Sequence, residues 1–299
     1  MTTLYVATSS GLHLLKGAGQ RTLELGGRPV DALHIDATGT RWAIVDRHEL
    51  WRDTGAGWGP TARSPDLRLN CVLSHEDDVW VGAEQARLLR LEDGSLVRSK
   101  SFDAAPGRGE WFTPWGGPPD VRSLAMNDSH LLANVHVGGI LRSDLVGSSW
   151  EPTIEIGSDV HEVMVAPDGW VAAASGWGLT TSTDHGERWE FDKDGLHSSY
   201  ARAVAIGDSA IFVSACDGPF GGRGAVYRRP LDATGLTKCE SGLPEWIDGN
   251  IDTGCLTASG SHVAFGTEGG SIFLSGDGGT SWDEVASDLA PISYLTHSL

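Results

Sequence analysis

Two arginines and two histidines carry most of the chemistry that this sequence offers. Arg122 and Arg202 each sit second in an alternating run, Val121-Arg122-Ser123-Leu124 and Ala201-Arg202-Ala203-Val204, and His161 holds the same place in Val160-His161-Glu162-Val163. Two guanidinium forks facing one cavity suit a carboxylate or another anion, because each fork makes paired hydrogen bonds to it. His136 stands at the end of one unit's second run, Leu131 to Val135, and His161 at the start of the next unit's first run, so the two imidazoles are expected to approach each other. With Asp31 or Asp252 they would act as proton carriers near neutral pH. They would also serve a divalent metal, but two histidines without ligand spacing are a poor ligand set, and proton transfer is preferred.

Something must bring residues so far apart in sequence to one place, and an internal repeat supplies it. Asp-x-Gly-x-x-Trp occurs at Asp53-Gly55-Trp58, Asp184-Gly186-Trp189 and Asp277-Gly279-Trp282, with a copy one residue longer from Asp144 to Trp150. The copies fall one or two periods of about forty to forty-seven residues apart, which is the spacing of a propeller blade. Within a period the sequence resolves into four short, mostly alternating runs, for example Val30 to Ile35, Arg41 to Val45, Glu49 to Arg52 and Trp58 onward. Alternation with a period of two is the signature of strands, and no stretch keeps a helical period for more than two turns.

The elements Ser182-x-Asp184-x-Gly186-x-x-Trp189 and Ser275-x-Asp277-x-Gly279-x-x-Trp282 resemble the Asp-box, or BNR repeat, of sialidase-like propellers, sortilin-type receptor propellers and photosystem II assembly factors. In each box the aspartate suits a hairpin by accepting backbone N–H groups, the glycine takes positive φ, and the tryptophan packs between sheets. The resemblance implies boxes at the periphery and a usable site at the mouth of the central channel.

The expected fold is therefore all-β, a single seven-bladed propeller of four-stranded antiparallel blades spanning residues 1–299. Six blades fall at about 30–66, 67–103, 119–154, 158–195, 199–243 and 248–288. The seventh is closed by residues 1–26 pairing with 290–299, which removes two open sheet edges and makes the last ten residues disproportionately important for stability. First strands are read at Val30 to Asp36, Leu69 to His75, Val121 to Asn127, Val160 to Ala166, Ala201 to Gly207, Ile251 to Thr257 and from Ile292.

Position two of each first strand should face the channel, because positions one and four carry the apolar contacts between blades. Around the ring this gives Asp31, Asn70, Arg122, His161, Arg202, Asp252 and Ser293, all polar. They either form salt bridges among themselves or meet a ligand. Loops on the same face add Trp177, Arg223 and Glu268, and the segment Ala105 to Pro119 adds Trp111, Phe112 and Trp115 as a satellite core or, preferably, a pocket wall. Candidate catalytic groups are Asp31, His136, His161 and Asp252; candidate ligand-binding groups are Asn70, Arg122, Trp177, Arg202, Arg223 and Glu268.

The chain departs from a sialidase pattern. Arg28-Pro29 lacks the intervening Ile, only two arginines hold ring positions, and Tyr294 falls on an apolar position of its run. A different glycosidase would need two carboxylates about 5 to 9.5 Å apart, for which Asp31, Asp252 and Glu268 are the candidate donors.

Composition narrows the partners. The 40 acidic residues outnumber 22 basic ones, for a formal charge of −18, which repels phosphate backbones and anionic membranes. No nucleic acid or membrane is expected as a partner. No apolar stretch approaches membrane-spanning length and no basic leader precedes the first strand, so the chain reads as cytoplasmic. The four cysteines lack metal spacing and read as reduced thiols. Two functional classes stay open: a protein that binds, and as a hydrolase or lyase converts, a small anionic or carbohydrate-like molecule at the channel mouth, and a scaffold that docks a partner protein.

Overall fold

The computed structural model of the chain describes residues 3–16, 20–166 and 168–298. Seven antiparallel sheets follow one another around a ring, and each is a blade of four strands. The innermost strands are Ile292–His297, Val30–Ile35, Leu69–His75, Val121–Met126, Val160–Val165, Tyr200–Ile206 and Leu256–Ser259. Chain ends close the ring as expected: Leu4 to Thr8 pair antiparallel with His297 to Ile292. Met1, Thr2, residues 17–19 and Leu299, all within the predicted closing blade, lie outside the described residues. The blade over Tyr200–Ile206 takes a fifth, short strand, Ile247–Asp248, which pairs with Arg223–Pro230.

The blades cohere because each sheet buries both faces against its neighbours, so their strands are near-continuously apolar rather than strictly alternating. Ala172, Ala174 and Leu179 of one blade pack on Ala201, Val204 and Val213 of the next, and Leu4 and Val6 from the first residues share a cluster with Ile292 and Leu295 from the last. Small residues allow close approach where blades converge. At Gly82 an added Cβ would lie 2.6 Å from Val121 Cγ1 of the adjacent inner strand.

The Asp-x-Gly-x-x-Trp segments form the turns between third and fourth strands. Asp277 Oδ1 accepts from the Thr280 and Ser281 N–H groups at 3.0 and 2.9 Å, Asp184 Oδ1 accepts from Arg188 N–H at 2.8 Å, and Asp53 Oδ1 accepts from Gly55 and Gly57. Gly186 and Gly279 have φ of +88° and +82°. Trp282 and Trp150 are buried between sheets, so these residues work for the fold. The α-helix described is the single turn Lys100–Asp103, capped by Ser99; no described helix is long and apolar enough to cross a membrane.

One strand differs from the sequence reading. The inner strand expected over Ile251 to Thr257 begins only at Leu256. Asp252 C=O accepts Cys255 N–H at 2.8 Å and Gly254 takes φ +76°, which closes a turn where the alternation suggested extension. Asp252 therefore reaches the channel mouth from a turn.

Candidate functional site at the channel mouth

A shared backbone irregularity aims the ring of polar side chains. Strand pairing slips between Val30 and Ala32, between Leu69 and Cys71, between Val121 and Ser123, between Val160 and Glu162, and between Ala201 and Val204. The residues skipped are Asp31, Asn70, Arg122, His161 and, with Ala203, Arg202. On the closing strand Ser293 is skipped in the same way. Each is thus an unpaired bulge residue, and bulges bend a strand and redirect the side chain that they carry. The N–H groups freed near these bulges are taken up by buried side chains: Val204 N–H donates to Glu162 Oε2 at 2.9 Å and Val163 N–H to Ser123 Oγ at 3.0 Å.

Four of the predicted groups, Asp31, Asn70, Arg122 and Asp252, line one cavity of about 340 Å³, with Arg47, Asp120 and Tyr294 beside them. Asp31 and Asp252 also line an adjoining space of about 510 Å³ that includes Glu268. Arg202 is committed. Its Nε and Nη2 donate to the two carboxylate oxygens of Asp252 at 3.0 and 2.8 Å. Asp31 is committed as well, accepting Arg47 N–H at 2.8 Å with Arg47 Nε at 3.4 Å. Arg122 differs: among the described residues no carboxylate lies within 4.0 Å of its guanidinium, although it is one of the cavity's lining residues. Burial and the charge of Arg202 push its pKa down, so an anion arriving at Arg122 would relieve an electrostatic cost already present.

Beside this cavity sits a cluster that the sequence reading assembled only in part. His136 Nε2 lies 3.2 Å from Asp159 Oδ1, and His161 Nε2 lies 3.5 Å from Asp159 Oδ2. The imidazoles are neighbours, with ring centroids 5.3 Å apart. His161 Nδ1 donates to the Ala201 carbonyl at 2.7 Å, and its Nε2 meets the Tyr200 hydroxyl at 3.1 Å. Arg202 Nη1 donates to that hydroxyl at 3.4 Å, linking the cluster to the Arg202–Asp252 pair at the cavity edge. Burial pushes both histidines below the ordinary imidazole pKa, Arg122 and Arg202 add to the effect and Asp159 opposes it, so the balance favours the neutral rings. Burial raises the Asp31 carboxyl, whereas at Asp252 burial is outweighed by Arg202 and the carboxyl is held down.

Asp159, Tyr200 and Asp120 were missed by reading position two alone. All three immediately precede position one as read from the sequence, Asp159 and Asp120 in the loops that enter the mouth and Tyr200 as the first residue of its strand, and reading one residue earlier in each repeat finds them. The aromatic segment divides: Trp111 is buried against Phe102, while Trp115 is 68% exposed and lies over His136 with ring centroids 5.5 Å apart. It is therefore a satellite core at one end and a wall over the cluster at the other. Trp177 is half exposed and packs on Phe191 at 5.1 Å, away from the two mouth cavities. Arg223 is held by Asp217 at 3.0 Å and lies over Trp246, so it is not gathered with the others. Tyr294, which looked apolar in its strand, lines both the mouth cavity and a second space of about 470 Å³ lower in the channel.

No protein-family model matches the chain, and no curated protein matches it in sequence. Solved structures do. The extracellular domain of a hybrid two component system from B. thetaiotaomicron is 14% identical with a TM-score of 0.67 over 96% of this chain, which spans only 38% of that one. Virginiamycin B lyase from Staphylococcus aureus, in a catalytically inactive form with quinupristin, is 13% identical with a TM-score of 0.65 over 92% of this chain and 93% of that one. YCF48 bound to D1 peptide is 16% identical with a TM-score of 0.57, covering 95% and 85%. At these identities the likeness establishes the propeller fold alone.

Proposed function

We propose that the channel mouth binds a small anionic molecule, carboxylate- or phosphate-bearing, and that the neighbouring His136–Asp159–His161–Tyr200 cluster acts on it. The observation that carries this reading is the contrast between the arginines. Arg47, in the cavity wall, is neutralised by Asp31, and Arg202, which does not line the cavity, by Asp252, while Arg122 lines the cavity with no carboxylate within 4.0 Å among the described residues. A half-buried guanidinium with no directly paired carboxylate costs stability, and sites that bind anions accept that cost. Neutral imidazoles and a phenol next to it supply acceptors and donors for proton transfer.

A scaffold reading is favoured by one different observation: Phe112, Trp115 and Phe220 are exposed aromatic side chains, and the similar propeller YCF48 is known bound to a peptide. Calorimetry with sugar acids, dicarboxylates and sugar phosphates separates the two. The anion reading expects saturable binding that Arg122→Ala abolishes without loss of folding. Equal binding by that variant rejects it, as does an absence of any anion binding by a folded protein.

A further inference from the structure

We propose that His136, Asp159 and His161 together hold one divalent transition-metal ion of the zinc type, with open coordination positions toward the Arg122 cavity. The proposal deepens the anion reading by naming a cofactor for the same site, yet metal binding stands or falls by itself.

The geometry is that of a ligand set. A tetrahedral ion with bonds of about 2.0 to 2.2 Å keeps its ligand atoms roughly 3.3 to 3.5 Å apart. His136 Nε2 lies 3.2 Å from Asp159 Oδ1 and His161 Nε2 3.5 Å from Asp159 Oδ2, so the carboxylate bridges the two imidazoles, and one ligand atom from each of the three residues falls within 4.8 Å of the others, a set that closes onto one ion with small side-chain shifts. Two imidazoles and one carboxylate leave positions free for water or substrate, as catalytic metal sites do.

The protonation pattern points the same way. A carbonyl oxygen only accepts, so the bond to Ala201 fixes the proton of His161 on Nδ1 and leaves a lone pair on Nε2. That lone pair lies 3.5 Å from Asp159 Oδ2 and 3.1 Å from the Tyr200 hydroxyl, the donor that meets it among the described residues. Two acceptors turned toward each other call for a cation. Asp159 Oδ1 is itself buried without a hydrogen bond of good geometry, although buried polar atoms are normally satisfied. The Ala201 carbonyl is also the kind of outer partner that orients a metal-binding imidazole.

Burial supports a protected site with a way in. His136 and His161 are buried, while the Asp159 side chain keeps 30% of its surface. Asp159 stands in the left-handed region at φ 50°, at the turn before its strand, a strained conformation for a non-glycine residue that persists where surroundings impose it. The charges around the cluster are Arg122 and Arg202, opposed by Asp159, Asp120 and Asp252. Arg202 is already paired, so the ion and Arg122 would present two positive groups to one anion.

Titration of the purified full-length protein with Co²⁺, followed by visible absorption and equilibrium dialysis, tests this. The expected result is one equivalent per chain, displaced by Zn²⁺, with a nitrogen and oxygen spectrum free of thiolate charge transfer. Asp159→Asn and His136→Gln should weaken binding by at least about tenfold while circular dichroism and thermal melting stay cooperative. Arg122→Ala should keep the metal and lose only the anion, so failure of the two readings can be told apart. Folded wild-type protein binding far less than one Co²⁺, or both ligand variants binding as well as wild type, overturns the proposal. Thiolate charge-transfer bands would overturn it as well, by moving the ion to a cysteine.

Discussion

Arg202 grips both carboxylate oxygens of Asp252, at 3.0 and 2.8 Å, across the gap between an inner strand and the turn that leads into the next one. Half of the Asp252 side chain stays in solvent, whereas Arg202 is nearly covered. The two partners should respond unequally to mutation. Asp252→Asn leaves a buried cation short of its counter-charge and is expected to cost about 1.5 to 3 kcal/mol in urea unfolding, the range for hydrogen bonds to charged groups. Arg202→Met leaves Asp252 free to hydrate and should cost less. A larger loss for Arg202→Met would show that its stem, not its charge, holds the turn.

The two tryptophans of the 105–119 segment should separate stability from binding. Trp111 is 7% exposed and sits in the cluster with Phe102 and Trp150, so Trp111→Ala should lose about 3 to 5 kcal/mol. Trp115 is a lid over His136 and mostly in water. Trp115→Ala should shift the thermal midpoint little and alter affinity for any mouth ligand. A large destabilisation by Trp115→Ala would make the whole segment a core.

Glu162 predicts a pH dependence of stability. Its carboxyl is buried in the channel, accepts the Val204 and Gly254 N–H groups at 2.9 and 3.0 Å, and is pushed by burial from 4.5 up to about 8. Between these two values the folded chain holds a proton that the unfolded chain has released, so stability falls as pH rises from 4.5 to 8. Glu162→Gln should remove that slope. Below pH 4 the sign reverses, because hydrogen bonds from Arg188 hold the Asp184 carboxyl down at about 2, and its contribution is lost as pH falls toward that value. Urea midpoints measured from pH 3 to pH 9 check both limbs; a slope unchanged in Glu162→Gln would assign it to another group.

Ring closure was legible because it depends on counting. The spacing of Asp53, Asp144, Asp184 and Asp277 fixes the period, and the lone strand from Ile292 needs the three strands that begin at Thr3. Local chemistry also fixed which residues make the hairpins, since an aspartate and a positive-φ glycine act within a few residues of themselves. Alternation was enough to nominate Asp31, Asn70, Arg122 and His161 for the mouth, because each blade repeats the same apolar first position.

Which of those side chains are spoken for was decided only in three dimensions. Arg122 and Arg202 hold the same position in their strands, yet Arg202 has a paired carboxylate from the next blade and Arg122 does not, because the turn at Gly254 carries Asp252 within reach of Arg202. Arg223 looked equally available and is held by Asp217 in its own loop. Asp159 stands one residue before its inner strand, and nothing in its local sequence marks its partners. It meets His136 and His161 because the turn before one inner strand faces the end of the neighbouring blade's second strand. Periodicity fixes which residue types recur at a position, but pairing between charges depends on distances across blades, and those are set by how the ring closes.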